Sequence, residues 1–265
     1  MHLTLHARAQ RVADKKEDIG EEKTTKPVKV SDRGLIGIVR SLQKTITGIK
    51  WKPQSAIWDE YEKIRTYESE DVSKKSEYVN AVVSRLAPGL VWDLGANKGE
   101  FSLIAASQGA FVVSIDSDPA CSESLYQRIA GKDGLKGILP LTMDLANPSP
   151  GLGWHGKERL NLSERGPADL VMALALIHHL VLSSCVPLEL VAQWLSDLGK
   201  HLLIEFVPSK DPMVKKLLLH RNGDHLPYNL NAFKQCFGKY FQFEDEISLQ
   251  NGRRLFLCRR SENGE

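Results

Sequence analysis

The chain has 265 residues, of which 42% are hydrophobic and 26% are charged. This length supports one well-packed core with an extension rather than two full domains. Residues 1–57 carry twelve Lys or Arg and six Asp or Glu, so their net charge is +6 and that of the remainder is −4. The remainder is acidic and lacks a basic surface that would attract nucleic acids, which argues against a nucleic-acid partner. We interpret the basic leader as a solvated tail, with contact to an anionic partner as the alternative.

The four cysteines are widely spaced and form no Cys-x-x-Cys pair, a pattern typical of reduced thiols rather than of disulfides or a zinc site. We therefore expect no metal. The longest apolar stretch, Ala173–Leu182, is interrupted by two histidines and is too short to cross a bilayer. The first residues contain no apolar signal core. These features predict a soluble, cytoplasmic protein without a membrane span.

The chain begins with charged sequence. Residues 11–33 are rich in Lys, Glu and Asp, which predicts disorder. From Gly34 to Trp51 apolar residues recur at helical spacing, which predicts an amphipathic helix. We expect this helix to pack on the folded body, and a membrane-surface or partner helix is the alternative. The predicted domains are an N-terminal extension at residues 1–57, partly disordered with this one helix, and a folded domain at residues 58–265.

Residues Val91–Ser102 run from an apolar strand through a glycine-containing turn into a helix. Gly95 and Gly99 have no Cβ, so the backbone can approach a ligand and adopt positive φ, and Asn97 tolerates the same region. Nucleotide-like ligands bind at such turns, beyond the carboxyl ends of strands. Asp116 closes the next strand about 20 residues after the turn, the separation at which an acid meets ribose hydroxyls.

The acid before the turn, Asp93, distinguishes between ligands. A dinucleotide-binding unit needs Gly-x-Gly-x-x-Gly, but Asn97 and Glu100 stand at its second and third glycine positions. Asp93 would repel a pyrophosphate and attract the ammonium group of a methionine moiety. The sequence therefore predicts S-adenosylmethionine as the ligand, with another nucleotide or a purely structural turn as the alternatives.

Apolar strands alternate with helical segments through the middle of the chain. Five strands are predicted, at residues 89–95, 111–116, 138–144, 168–174 and 201–206. Such alternation predicts an α/β fold with a doubly wound parallel sheet and helices on both faces. Two further strands, Tyr240–Leu249 and Arg253–Arg260, are joined by Gln-Asn-Gly, which predicts a hairpin with a type I′ turn.

From about Trp58 to Arg260 the chain resembles class I S-adenosylmethionine-dependent methyltransferases and, within that class, the nodulation-protein NoeA-like group. The resemblance is carried by Val91–Ser102 and, more specifically, by Leu139–Trp154 and Glu164–Leu180. It implies a Rossmann-like, seven-stranded sheet that is mostly parallel with an antiparallel C-terminal hairpin strand. It also implies S-adenosyl-L-methionine as cofactor, contacted by Asp93, Gly95, Ala96, Asn97, Gly99, Asp116, Ser117, Asp144, Leu145 and Ala173.

The resemblance further assigns Asp144 to the exocyclic amine of adenine, and a turn cap is the alternative. The loop from Asn147 to Gly166 is long for its position, which is typical of lids and binding loops. Within it, Trp154 is expected to cover the substrate or to fix the loop to the body.

His178 and His179 follow the fourth strand, where the methyl group would be delivered. An alcohol acceptor must lose its proton during the transfer, and a neutral imidazole can accept it. His179 is the first candidate base and His178 the second, while a helix cap or a hydrogen bond to a carbonyl is the alternative for either. Glu205, at the end of the fifth strand, is expected to orient the imidazole or to contact the substrate.

The absence of other motifs excludes some classes of methyl-transfer reaction. The chain lacks the Asn/Asp-Pro-Pro-aromatic tetrapeptide of amino-group methyltransferases and the Pro-Cys pair used on pyrimidine C5. We therefore favour O-methylation of a small-molecule or saccharide acceptor. The alternatives are a donor-binding regulatory or scaffold module without turnover, and an RNA methyltransferase that uses the basic leader. The sequence identifies no protein partner.

The resemblance also implies that longer relatives carry a large region before the methyltransferase part. Residues Met1–Gln10 are similar to the tail of that region, so the chain is either a natural short form or a truncated start. In either case, acceptor binding is expected to depend partly on that preceding region.

Overall fold

The computed structural model describes residues 31–49, 51, 69–132, 137–218 and 227–261. They divide into two units, one within Met1–Lys52 and one within Pro53–Glu265. Most of the stretch predicted as disordered lies outside the described residues, as do residues 58–68 at the start of the predicted folded domain. The predicted domain boundary at residue 57 therefore stays a prediction.

The first unit contains helix α1 (Asp32–Gly48), in the region where the apolar spacing predicts one. The hydroxyl of Ser31 accepts the N–H of Gly34 at 3.2 Å and so caps the helix. None of the residues of α1 is buried. The predicted helix is therefore present, and the expected packing of its apolar face on the folded body stays a prediction.

The second unit is built on one sheet. Its strands are β1 (Leu90–Leu94), β2 (Phe111–Asp116), β3 (Ile138–Thr142), β4 (Ala168–Ala173), β5 (Gly199–Phe206), β6 (Phe241–Ser248) and β7 (Arg254–Arg260). Their order across the sheet is β3-β2-β1-β4-β5-β7-β6. Strands β1 to β5 pair in parallel, and β7 is antiparallel to both β5 and β6. The predicted seven-stranded, mostly parallel sheet with an antiparallel C-terminal strand is confirmed.

Helices cover both faces of this sheet. They are α2 (Ser69–Leu86), α3 (Glu100–Ser107), α4 (Pro119–Ile129), α5 (Leu188–Leu198), α6 (Pro212–Leu218) and α7 (Leu230–Phe237). Alternate residues of β1 point to opposite faces, so Val91 joins one apolar cluster while Trp92 and Leu94 join the other. Because β1 is buried on both faces, its sequence is apolar except at Asp93. Among the described helices, none has the length and apolar character that a bilayer crossing needs.

The C-terminal hairpin closes with a three-residue loop, and the predicted type I′ turn is wrong. Gly252 N–H donates to the carbonyl of Leu249 at 3.1 Å, and Leu249 N–H donates to the carbonyl of Arg253 at 2.9 Å. A type I′ turn needs positive φ at both central residues, but within this loop the positive φ falls on Gly252, at 80°. The carboxylate of Asp71, on α2, accepts the N–H of Gln250 at 2.8 Å and holds the loop in place.

A buried ion-pair network joins α2 to β5 and to the residue before β7. Lys75 Nζ donates to the carboxylate of Glu205 at 2.5 Å, and Arg253 donates to the same carboxylate at 3.3 Å. Arg253 Nε also donates to Asp211 at 2.8 Å. All four side chains are at most 5% exposed. The network therefore balances two buried cations with two buried carboxylates at the edge of the sheet.

Replacing Glu205 by Gln is expected to lower the free energy of unfolding by about 3–5 kcal/mol, because it removes a negative charge from between two buried cations. The matched control is Glu246→Gln. Glu246 also accepts from a lysine and an arginine, but its side chain is 30% exposed, and such a pair contributes at most about 1 kcal/mol. Urea unfolding of both variants measures the difference, and equal losses would contradict the account.

Replacing Gly99 by Ala is expected to destabilise the fold more than replacing Gly131 by Ala. The two glycines have φ of 77° and 75°, so each alanine incurs a similar backbone strain, about 1–2 kcal/mol. A Cβ on Gly99 would also lie 2.6 Å from the methyl groups of Leu125, whereas one on Gly131 meets nothing within 4 Å. The overlap should add roughly 1–3 kcal/mol, measured by urea unfolding. Indistinguishable losses would show that Leu125 does not restrict position 99.

Candidate active site

A cavity of about 530 Å³ opens at the edge of the sheet where β1 to β4 end. Open α/β sheets bind ligands at this edge. Loops after the four strands supply most of its wall, and α2, α3, α6 and the residue before β7 contribute further residues. The lining residues are Val72, Lys75, Ser76, Asp93, Gly95, Asn97, Glu100, Phe101, Asp116, Ser117, Met143, Asp144, Leu145, Ala146, Leu174, Ala175, Leu176, His179, Leu180, Ser184, Met213 and Arg253.

The turn after β1 adopts the left-handed conformation that its residue types predict. Gly95 has φ of 74° and Asn97 has φ of 51°. A Cβ on Gly95 would lie 3.2 Å from a methyl group of Leu176, so a side chain there would press on the opposite wall of the cavity. Asn97 N–H donates to the carboxylate of Asp116 at 2.8 Å. This hydrogen bond fixes the turn against the end of β2.

The two predicted acids both line the cavity but lie in different surroundings. Asp93 is 1% exposed and accepts the hydroxyl of Ser102 at 2.6 Å, and burial raises its pKa to about 6. Asp116 accepts the N–H groups of Asn97 and Asp118, and burial raises its pKa although these hydrogen bonds oppose the rise. Because burial disfavours both charges, a positively charged ligand group beside them would be stabilised.

Three other predicted cofactor residues, Ser117, Asp144 and Leu145, also line the cavity. Asp144 Oδ1 accepts the N–H of Ala146 at 2.9 Å, which is the turn cap considered as the alternative role. The cap leaves the Asp144 side chain on the cavity wall, so capping and ligand contact are compatible.

The remaining three predicted cofactor residues lie outside the cavity. Ala96 is buried and donates its N–H to the carbonyl at the end of β2. Gly99 lies at the start of α3 against α4. Ala173 is buried within the core because it is still part of β4. After β4 the chain first reaches the cavity at residues 174–176, where Ala175 has a positive φ of 55°, a backbone conformation that alanine rarely adopts.

The two predicted bases occupy different places. His179 lines the cavity, and burial lowers its pKa to about 4, so the imidazole is neutral at pH 7. His178 is fully buried, and neither of its ring nitrogens has a hydrogen-bond partner within the described structure. Its ring centroid lies 4.2 Å from that of His179. His178 therefore packs behind His179 and does not line the cavity, and its role as the second candidate base stays a prediction.

Glu205 is also placed differently from the prediction. It is fully buried, does not line the cavity, and accepts hydrogen bonds from Lys75 and Arg253. Its carboxylate thus positions two cations that line the cavity, instead of touching the substrate. Neither cation was predicted from the sequence. Lys75 lies four and seven residues before the buried Val79 and Val82, so it lies on the buried face of α2. This spacing was the sequence signal for a buried lysine.

The loop between β3 and β4 contains two short 3₁₀ turns, Trp154–Gly156 and Ser163–Arg165. Trp154 is 84% exposed and does not line the cavity. In this structure it therefore neither covers the cavity nor fixes the loop to the body, contrary to both expectations.

Comparison with known proteins identifies one similar sequence and several similar folds. No family model matches the chain. The chain is 32% identical over 267 residues to the nodulation protein NoeA of Rhizobium meliloti (strain 1021), an alignment that covers 99% of this chain and 55% of NoeA. The chain thus spans about half the length of the curated relative that it matches. The predicted resemblance to the NoeA-like group is confirmed.

Solved methyltransferase structures share the fold. The N-methyltransferase NodS from Bradyrhizobium japonicum WM9 aligns with a TM-score of 0.54 at 12% identity, covering 74% of this chain and 99% of NodS. Magnesium protoporphyrin IX methyltransferase (ChlM) from Synechocystis PCC 6803, solved with bound SAH, aligns with a TM-score of 0.51 at 21% identity, covering 85% of this chain and all of ChlM. A putative O-methyltransferase from Nostoc punctiforme PCC 73102 gives a TM-score of 0.55 at 15% identity, covering 86% and 68% of the two chains.

The strand order, the glycine turn between two acids and these alignments agree. The chain is therefore similar to NoeA along almost its entire length and has the fold of S-adenosylmethionine-dependent methyltransferases.

Proposed function

We propose that the chain binds S-adenosylmethionine in this cavity and transfers the methyl group to a hydroxyl of a small-molecule or saccharide acceptor. The observation that carries the proposal is that one cavity is lined both by Asp93 and Asp116 and by the neutral His179. Asp93 and Asp116 suit the methyl donor, and His179 suits a methyl acceptor that must lose a proton.

The residues present fit this donor. Asp93 is a buried carboxylate whose charge lacks full compensation, so the ammonium of a methionine moiety would stabilise it. Each oxygen of Asp116 accepts one backbone N–H, which leaves lone pairs for the hydroxyls of a ribose. The absence of a side chain at Gly95 keeps space open below Leu176. These carboxylates match the ammonium at the amino acid end of S-adenosylmethionine and the ribose hydroxyls at its nucleoside end.

When bound, S-adenosylmethionine supplies an electrophilic methyl group on a sulfonium centre. The chain contributes position and proton transfer. Its apolar residues Phe101, Leu176 and Met213 line the same cavity and restrict where an acceptor can lie. As an acceptor oxygen bonds to the methyl carbon, the methyl–sulfur bond would break and S-adenosylhomocysteine would leave. The hydroxyl proton would pass to a ring nitrogen of His179, which is neutral at pH 7, although burial weakens it as a base.

The class of acceptor follows from the same surroundings. The structures that share the fold include both an N-methyltransferase and a putative O-methyltransferase, so the fold leaves the acceptor atom open. We favour a hydroxyl because a neutral imidazole on the cavity wall serves an acceptor that must be deprotonated. We favour a small molecule or saccharide because residues 58–265 are acidic overall and would not attract a polyanion.

Binding of S-adenosylhomocysteine is expected to weaken about tenfold between pH 7 and pH 5, because Asp93 becomes protonated around pH 6 and loses the charge that attracts the ammonium. Isothermal titration calorimetry at several pH values measures this. Asp93→Asn should bind more weakly at pH 7 and lose most of the pH dependence. A variant that keeps the wild-type pH dependence would contradict the role of Asp93.

Replacing His179 by Ala is expected to reduce methyl transfer by roughly 10²–10⁴-fold with little change in affinity for S-adenosylhomocysteine, because the imidazole serves the acceptor rather than the donor. The assay follows labelled methyl groups from S-adenosylmethionine into fractions of a cell extract. The control is His155→Ala, which alters an exposed histidine outside the cavity. Equal loss of transfer and donor affinity would assign His179 to packing, and no transfer by the wild type would favour a donor-binding module without turnover.

A further inference from the structure

Helix α1 presents an exposed apolar face. Its apolar side chains recur three and four residues apart, which places them on one side of the helix. They are between 44% and 66% exposed, far more than core residues, and they are Leu35, Ile38, Val39, Leu42 and Ile46. Several large apolar side chains exposed on one face mark an interaction surface.

The opposite face of α1 is basic. With about 100° of rotation per residue, Arg33, Arg40 and Lys44 fall within about 40° of one another, on the side away from the apolar face. All three are exposed. The acidic side chain of the helix is Asp32, which lies in its first turn. The helix therefore combines an apolar face with a polar face of strong positive charge.

The composition of α1 does not make it a stable helix by itself. Its 17 residues include Gly34, Gly37 and Gly48, and glycine disfavours helix. Isolated helices of this length are marginal in water even with good helix formers, and amphipathic helices gain their stability from what covers the apolar face. The exposed Trp51 follows three residues after the helix, and tryptophan favours the boundary between water and lipid.

We propose that α1 binds an anionic phospholipid surface. The helix would lie in the plane of the interface with its apolar face toward the acyl chains and its three cations toward the headgroups. Charge complementarity favours this occupant over a second copy of the chain, because an anionic surface supplies partners for the three cations, whereas a second α1 has Asp32 as its acidic residue. Membrane binding by α1 does not require donor binding or methyl transfer.

The test is co-flotation of the full chain with vesicles. Vesicles of phosphatidylcholine alone are compared with vesicles that also contain phosphatidylglycerol. The full chain should float with the anionic vesicles at low salt and be released as the salt concentration rises. Arg40→Gln together with Lys44→Gln should weaken binding about 30-fold, since each basic residue near such a surface contributes about a fivefold gain in binding.

A second pair of variants tests the apolar face at constant charge. Ile38→Gln with Leu42→Gln should weaken vesicle binding by roughly 100-fold, because two apolar side chains no longer enter the interface. The matched control, Ser41→Gln with Thr47→Gln, places the same two amides on the polar side and should bind as the wild type. Affinity for S-adenosylhomocysteine should be unchanged in every variant, which shows that each one folds.

Three outcomes would overturn the proposal. Equal binding to neutral and anionic vesicles, or no binding to either, would exclude an anionic surface as the occupant. Wild-type binding by the Ile38→Gln, Leu42→Gln variant would exclude the apolar face. A dimer in sedimentation velocity that this variant abolishes, without vesicle binding by the wild type, would assign the face to a second copy of the chain.

Discussion

The candidate site depends on the hydrogen bond between the turn after β1 and the acid at the end of β2. The turn passes through left-handed residues, and its Asn97 N–H donates to the carboxylate of Asp116. A side chain at Gly95 would lie 3.2 Å from Leu176 and would take up space in the cavity. The same bond orients Asp116 toward the cavity. One local constraint therefore creates both the space and the acceptor group.

The two cations that line the cavity, Lys75 and Arg253, are held in place by buried ion pairs. Lys75 and Arg253 come from α2 and from the residue before β7, far apart in sequence, and the carboxylates of Glu205 and Asp211 hold them together. Burial of four charges is tolerable because each has a partner within hydrogen-bond distance. On the donor side, burial raises the pKa of Asp93, although the hydroxyl of Ser102 and the charge of Lys75 oppose the rise. A cationic ligand group beside Asp93 would therefore stabilise its charged form.

Residue pattern predicted the parts of this architecture that depend on local sequence. The five parallel strands, the C-terminal hairpin and the positive φ of Gly95 and Asn97 follow from apolar runs and from glycine and asparagine chemistry. The absence of Ala173 from the cavity lining did not follow from local sequence, because the end of β4 decides which residue leaves the core. The placement of Glu205 could not be predicted either, since its partners arrive through the tertiary fold. The prediction of a type I′ turn was wrong because the carboxylate of Asp71, about 180 positions earlier, accepts a hydrogen bond from a different, three-residue loop.

The most direct test is a crystal structure of the chain grown with S-adenosylhomocysteine. The account predicts density in the cavity, with the nucleoside hydroxyls on Asp116, the amino acid end near Asp93, and the sulfur on the side of His179. An empty cavity, or one filled by protein side chains while the ligand is present in excess, would contradict it.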